Sequence, residues 1–350
     1  MVGNRHRTPI SGRGDLGPAG DHPGLVDPEY LRRRDALVAL ADGHQVGRPS
    51  PHVTYRDAEH RLWRTVRAAL WPAQEARACS LVLEAREDAP LPADHVPQHR
   101  EVADGLRQRT GFGFTLAGGM VPNDRFLRSL ADGWFHAVQY VRHPAVPLYT
   151  PEPDIIHDVC GHGIHLASPW FAGLYRAVGE AATRVRTEEA LELLSRVYWF
   201  TLEHGVVHER GAVRAYGAAL LSSYGELARL HEAELRPFDP AAMGRASYQV
   251  TGYQPVRFAV RSTEHLQDVL RGFLDGFDDG TPDRLGLEPE VLRTELWRAP
   301  ASPVAGAAAE HSPRPGRHAA STTFAMTSSR RTPSGARSPG SPVSSKPRRA

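Results

Sequence analysis

The sequence predicts a mainly α-helical domain with minor β-structure, and three observations carry that expectation. Apolar residues recur at helical spacing across residues 55–70 (Leu62, Trp63, Val66, Ala69, Leu70), 169–185 (Phe171, Leu174, Tyr175, Val178, Ala182, Val185) and 264–277. Stretches that read as strands are short and few: 110–119, 134–141, 248–251 and 256–260. Beyond Trp297 the chain turns Ala/Ser/Pro/Gly/Arg-rich and loses periodicity, so it buries too little to offset its ordering entropy. The expected organisation is a disordered start over 1–20, one domain over 21–297, and a disordered basic tail over 298–350.

Each element has a local reason. Asp27 before Pro28 starts a helix that runs to about Ala41. Residues 55–70 and 74–86 read as two helices parted near Pro72, and a short helix follows over 97–107. The glycines of 110–119 lack the spacing of a nucleotide-binding loop and are read as strand and tight turn. Asn123 or Asp124 is placed to cap a helix over 125–132. Ser168-Pro169 opens one helix, and Thr187-Glu-Glu opens another that reaches about His204. A further helix is expected over 215–235.

Charge and cysteine usage narrow the class. Eight of the 42 Lys/Arg but only one of the 40 Asp/Glu lie beyond position 300, so the rest of the chain is mildly acidic. That argues against a nucleic-acid-binding domain. Two cysteines, Cys79 and Cys160, do not suggest a disulfide scaffold. No membrane-length apolar run and no secretory leader is evident, so a cytoplasmic protein is expected.

The chemistry centres on Tyr149-Thr-Pro-Glu-Pro-Asp-Ile-Ile-His-Asp-Val-Cys-Gly-His162. Pro151 and Pro153 hold the entry extended, and Asp154 then caps a short helix. Gly161 is expected to end that helix in a left-handed conformation, with His157 on it and His162 just past it. Two imidazoles so placed suit Zn, Cu, Fe or Ni. The next buried-looking carboxylate is Glu203, one turn beyond Trp199 and Phe200. It needs a partner. A metal would complete the two-histidine, one-carboxylate triad of non-haem Fe(II) oxygenases; an arginine such as Arg142 or Arg214 would serve instead. Spacing alone leaves both open.

A set of ordered motifs goes further: Asp21-His-Pro-Gly24, Thr110-Gly-Phe112, Gln139-Tyr-Val-Arg-His143, Tyr149-Thr-Pro-Glu-Pro-Asp154, His157-x4-His162, Tyr198-Trp-Phe-Thr-Leu-Glu203, Ala215-Tyr-Gly217 and Leu220-Leu-Ser-Ser-Tyr-Gly-Glu226. Over residues 21–277 this resembles the catalytic domain of the pterin-dependent aromatic amino acid hydroxylases, in the compact layout of its bacterial phenylalanine-hydroxylating members. The resemblance implies a basket of helices around a non-haem iron site, and a monomer. It implies Fe(II) on His157, His162 and Glu203, with a tetrahydropterin as reductant and O2 as co-substrate. Arg142, held by Asp154, matches the residue that receives the substrate carboxylate, with Thr150 beside it. Pro153 and Trp199 match the walls of the ring pocket, and Ser222 matches a hydroxyl that orients the first iron histidine. On the cofactor side Phe126 matches the ring stacked on the pterin, with Gly119, Met120 and Tyr198 nearby.

Some positions depart from the family. Asp158 stands where a glutamate near the pterin is usual, and the loop over 117–123 is one residue longer. His204 replaces an aromatic residue, and Cys160 a Leu or Phe whose loss is expected to enlarge the ring pocket. His165, in an unusual Gly-Ile-His segment, is read as lying behind the site or exposed. The resemblance implies ring hydroxylation of L-phenylalanine, with the 4-position first and the 3-position or tryptophan as alternatives. From a different class, a non-catalytic pterin or amino-acid binder would keep this fold, but the intact ligand set argues against it. A zinc hydrolase would need a general-base glutamate that does not flank these histidines.

Overall fold

The computed structural model of the chain describes residues 22–89, 91–248 and 252–293. The flanking segments expected to be disordered, 1–20 and 298–350, lie outside these residues, as do positions 249–251 of the expected strand after Tyr248. The architecture is mainly helical with two small sheets.

The chain opens with α1 (Pro28–Val38), where Asp27 accepts from the backbone N–H groups of Glu29 and Tyr30 as expected of a capping carboxylate. Helix α2 (Asp57–Arg77) does not break near Pro72 but runs through it. Proline removes one ladder hydrogen bond, yet the apolar face of Leu62, Trp63, Val66 and Leu70 continues into a buried Gln74, whose amide donates to the Leu221 carbonyl at 2.8 Å. The break comes at Ala78–Cys79, where Cys79 N–H donates to the Ala215 carbonyl, and α3 (Ser80–Asp88) follows. Helix α4 (His99–Thr110) ends on left-handed Gly111.

Strand β1 (Gly113–Leu116) pairs in parallel with β2 (Trp134–Ala137), and α5 (Asn123–Ser129) crosses between them. Neither Asn123 nor Asp124 caps α5; both lie inside its first turn behind Pro122. β2 is half the expected length because the next N–H, of Val138, donates to the Asp158 carboxylate at 2.7 Å instead of a strand.

The segment after Asp154 differs most from expectation. Helix α6 (Ile155–His157) continues into a π-helical turn (Asp158–Gly163) and then α7 (Ile164–Ala167). Gly161 is therefore mid-helix and not left-handed. It is glycine because a Cβ there would stand 2.4 Å from the Ala218 carbonyl oxygen. The buried helix α8 (Pro169–Arg184) and α9 (Glu188–Tyr198) follow, the latter capped by Thr187. A second π-helical turn (Trp199–Glu203) carries α9 on to Glu203, with His204 N–H bonding back to the Trp199 carbonyl. Single π turns of this kind occur often at functional sites.

A hairpin not anticipated from sequence comes next: β3 (Val206–Glu209) and β4 (Ala212–Ala215), turned by Arg210 and Gly211 at φ 51° and 78°. The helix expected over 215–235 is two short ones, α10 (Ala218–Ser222) and α11 (Tyr224–Ala228), with Ser223 extended between them. The Leu221 carbonyl that would hold a continuous ladder is taken by Gln74. Then come β5 (Glu234–Pro237), α12 (Pro240–Arg245), β6 (Val256–Val260), α13 (Thr263–Asp275), α14 (Thr281–Arg284) and α15 (Pro289–Arg293). The second sheet has the order β4-β3-β6-β5, parallel except for the hairpin. No helix among the described residues is long and apolar enough to cross a membrane.

Gly161 gives a direct test of this packing. Replacing it with alanine forces the first π turn away from α10, and overpacking of this kind costs about 1–3 kcal/mol. Chemical denaturation of Gly161→Ala against the parent measures the loss.

Candidate active site

The end of α6 and the two π turns bring His157, His162 and Glu203 together, so that one side-chain atom from each lies within 4.8 Å of the others. His162 Nε2 stands 3.1 Å from Glu203 Oε1 and 3.0 Å from His157 Nε2. Neither arginine considered as a partner for Glu203 takes it: Arg142 pairs with Asp154, and Arg214 donates to the Ala76 carbonyl. Glu203 Oε2 is buried with no hydrogen-bond partner among the described residues.

Protonation supports a cation site. Burial, then the neighbouring His162, pushes His157 down to about 4; burial alone pushes His162 down to about 3. Both are neutral near pH 7. Ser222 Oγ lies within reach of the Ala218 and Ala219 carbonyls, at 3.2 and 3.1 Å, and so spends its proton there. Its oxygen then accepts from His157 Nδ1–H at 2.9 Å, leaving His157 Nε2 as a bare lone pair turned to the cluster. Burial raises Glu203 above the usual carboxylate range, with His157 and His204 opposing the shift. A lone pair and a carboxylate at this spacing, with buried Oε2 lacking a hydrogen bond and His157 Nε2 3.8 Å from it, fit a divalent metal.

The cluster floors a cavity. His157, His162, Glu203, Ser222, Arg142, Thr150, Pro153, Trp199, Gly119, Met120, Phe126, Asp158 and Tyr198 all line it; Asp154 alone of the expected residues does not. Asp154 lies behind Arg142 with no exposed surface, accepting from Nε at 2.9 Å, Nη2 at 2.8 Å and the Arg142 backbone N–H at 2.9 Å. One guanidinium edge is thereby fixed. Nη1 has only a 3.5 Å approach to the Pro147 carbonyl. The Thr150 hydroxyl donates to the Glu152 carbonyl at 2.9 Å, so towards the cavity it can only accept.

On one wall Trp199 stacks on Tyr248 with centroids 4.5 Å apart and meets the His204 ring at 4.6 Å. On another, Phe126 packs edge-on against Phe135 and Tyr198, both at 5.5 Å. Burial raises Asp158 well above the usual range against the opposing Val138 N–H bond. Gly119 stands at φ +153°, open to glycine and strained for other residues. Cys160 is buried in the core and does not line the cavity, so its small side chain does not widen the ring pocket directly.

Several residues here went unassigned from sequence. Glu226 lines the cavity and is held by Arg257 at 3.2 Å, with His204 Nδ1 3.9 Å away. Of the two readings for His165, the first holds: it lies buried behind the site, bonded to Tyr175 Oη and the Tyr216 carbonyl. Tyr175, read as a face residue of α8, reaches His162 Nδ1 at 2.7 Å. His143 pairs with Asp27, and His208 is exposed on β3. The available signal for Glu226 was its place at the end of the Leu220–Glu226 motif.

Two tests follow from the electrostatics. Asp154→Ala leaves Arg142 as an unpaired buried charge, and breaking such a pair costs about 3–5 kcal/mol; denaturant titration should show a loss of that order. Burial holds His165 and His204 near 3 and His99 near 4, below an unfolded value near 6.5. Between those values the unfolded chain binds more protons, so stability falls as pH drops below about 6.5, by about 1 kcal/mol per pH unit for each such histidine. Melting temperatures of the metal-free protein across pH 7.5 to 4.5 check the slope.

Comparison with known proteins agrees with this geometry. The sequence profile of the biopterin-dependent aromatic amino acid hydroxylases matches residues 15–280. The chain is 43% identical over 260 residues to the phenylalanine 3-hydroxylase of Streptomyces coeruleorubidus, covering 74% of this chain and 93% of that one. It is 38% identical over 288 residues to bovine tyrosine 3-monooxygenase, of which it spans 58%. Among solved structures, Chromobacterium violaceum phenylalanine hydroxylase with bound iron(III) and 7,8-dihydrobiopterin superposes with a TM-score of 0.63 at 29% identity, over 71% of this chain and 92% of that one. A folded helical basket, a two-histidine, one-carboxylate cluster and a family match over most of its length place this chain among the iron- and biopterin-dependent aromatic amino acid hydroxylases, which are O2-using monooxygenases.

Proposed function

We propose that the chain hydroxylates L-phenylalanine at ring position 3. The observation that carries the chemistry is the convergence of His157, His162 and Glu203 on one point at the floor of a cavity that also holds the Arg142 guanidinium. The likeness to a phenylalanine 3-hydroxylase over 93% of its length supports the substrate and the ring position. Attack at position 4 is the second reading, favoured by 35% identity over 265 residues to a phenylalanine-4-hydroxylase of Dictyostelium discoideum.

In this proposal His157 and His162 through Nε2, and Glu203 through its carboxylate, hold Fe(II). A bound Fe(II) would offer the open positions at which O2 is activated, and a tetrahydropterin would supply the two electrons, one oxygen atom passing to the ring and the other to the pterin as a hydroxyl. Arg142 receives the substrate carboxylate. Asp154 fixes one edge of the guanidinium and leaves Nη1 for a charge-assisted bond, while Thr150 accepts beside it. Pro153 and Trp199 confine the ring, with His204 packed on the Trp199 face. Phe126 presents its ring to the pterin, the Gly119–Met120 backbone and Tyr198 line its berth, and Asp158 stands at the edge with its carboxylate engaged by Val138. Ser222 orients His157. Two buried thiols, Cys79 and Cys160, suit a reducing cytoplasm. Monomeric action accords with exposed large apolar residues that are few among the described residues.

Product identification tests the proposal. Fe(II)-loaded protein with tetrahydropterin, O2 and phenylalanine should yield 3-hydroxyphenylalanine, separable from tyrosine by chromatography and NMR. Tyrosine as the main product would replace position 3 with position 4, and no hydroxylated product from phenylalanine, tyrosine or tryptophan would defeat the enzyme reading. Arg142→Met should raise KM for phenylalanine about 10- to 100-fold, since a hydrogen bond to a charged group is worth about 1.5–3 kcal/mol.

A further inference from the structure

We infer that Tyr175 and His165 are positioning residues for the metal: together they hold His162 in the one tautomer that leaves its Nε2 free to bind. The inference rests on reading His157, His162 and Glu203 as iron ligands. It concerns residues that do not line the cavity.

The chain of donors is fixed from its far end. His165 Nε2 lies 2.6 Å from the Tyr216 carbonyl oxygen, which only accepts, so Nε2 carries the proton. A fully buried imidazole is neutral, so His165 Nδ1 is a bare lone pair. Its partner at 3.0 Å is the Tyr175 hydroxyl, which therefore donates to it. That hydroxyl has one proton. Towards His162 Nδ1, at 2.7 Å, the Tyr175 oxygen can only accept, which puts the His162 proton on Nδ1. His162 Nε2 is then a lone pair facing His157 Nε2 at 3.0 Å and Glu203 Oε1 at 3.1 Å.

Ser222 imposes the same state on His157 from the opposite side. Two lone pairs and a carboxylate so arranged repel one another, and a cation relieves that repulsion. Packing reinforces the alignment. His165 stacks on Phe171 with centroids 4.0 Å apart and planes 7° from parallel, and Phe135 lies 4.4 Å from the His162 ring. The relay is anchored in backbone at Tyr216, so it does not depend on a mobile partner.

Titration of the full chain with Co(II), followed by its ligand-field absorption, tests the relay without turnover. Tyr175→Phe and His165→Leu should weaken Co(II) binding about 10- to 100-fold and alter the spectrum, the usual effect of losing an outer hydrogen bond to a ligand imidazole. His165→Gln, which keeps one donor and one acceptor, should stay close to the parent in both. Should Tyr175→Phe not fold, the contrast between His165→Leu and His165→Gln carries the test. A folded Tyr175→Phe with parental affinity and spectrum, or equal effects of Leu and Gln at position 165, would overturn the relay while leaving the metal reading intact. Absence of Co(II) binding by the parent, or its persistence in Glu203→Ala, would overturn the metal reading and the relay with it.

Discussion

Asp154 accepts from the Arg142 guanidinium, from the Arg142 backbone N–H and from the backbone N–H of His157 at 3.1 Å, with no surface exposed to water. One carboxylate thus couples a guanidinium on the cavity wall to the first turn of the helix that carries His157, the first of the two histidines proposed to bind iron. A buried charge held this way is stable only as a completed set, so the two halves of the site cannot drift apart without exposing an unpaired ion. The two prolines before it restrict the approach of the chain, which keeps the carboxylate where both partners meet it.

From that fixed point the remaining geometry follows by helix register. Each π turn inserts a residue into an otherwise α-helical run, and in each case the shift falls on a segment bearing a residue of the cluster, His162 in Asp158–Gly163 and Glu203 in Trp199–Glu203. The first turn can lie against α10 only because Gly161 has no side chain. The same close approach delivers the Ser222 hydroxyl to His157. Burial then acts on His157, His162 and Glu203 in one direction, towards neutrality, and a bound metal would reverse that penalty.

The parts of this structure governed by neighbouring residues were legible in the sequence. Asp27 before Pro28, Thr187 before an acidic turn, and Asp154 before Ile155 each cap the helix they announce. What was not legible depended on distant partners. Gly161 looked like a helix terminator, whereas its role is to admit the Ala218 carbonyl from another helix. Pro72 looked like a break, but Gln74 and its bond to Leu221 carry α2 past it. A π turn has no compositional mark, so the position of His162 relative to His157 was misjudged even though both histidines were picked out. Arg210 gave no hint of a left-handed turn, and the β3–β4 hairpin was missed with it. The metal cluster needed either the motif resemblance or the fold, because Glu203 could equally have met an arginine. Nothing local tied Tyr175 or His165 to His162.

The central claim is that one metal ion sits among two imidazole nitrogens free of protons and one carboxylate. Crystals of the Fe(II)-loaded protein, with an anomalous difference map recorded at the iron absorption edge, test it most directly. The account predicts a single strong peak bonded to His157 Nε2, His162 Nε2 and the Glu203 carboxylate, with Arg142 still paired to Asp154 across the cavity. A loaded crystal whose peak lies elsewhere, or in which either imidazole coordinates through Nδ1, would contradict it.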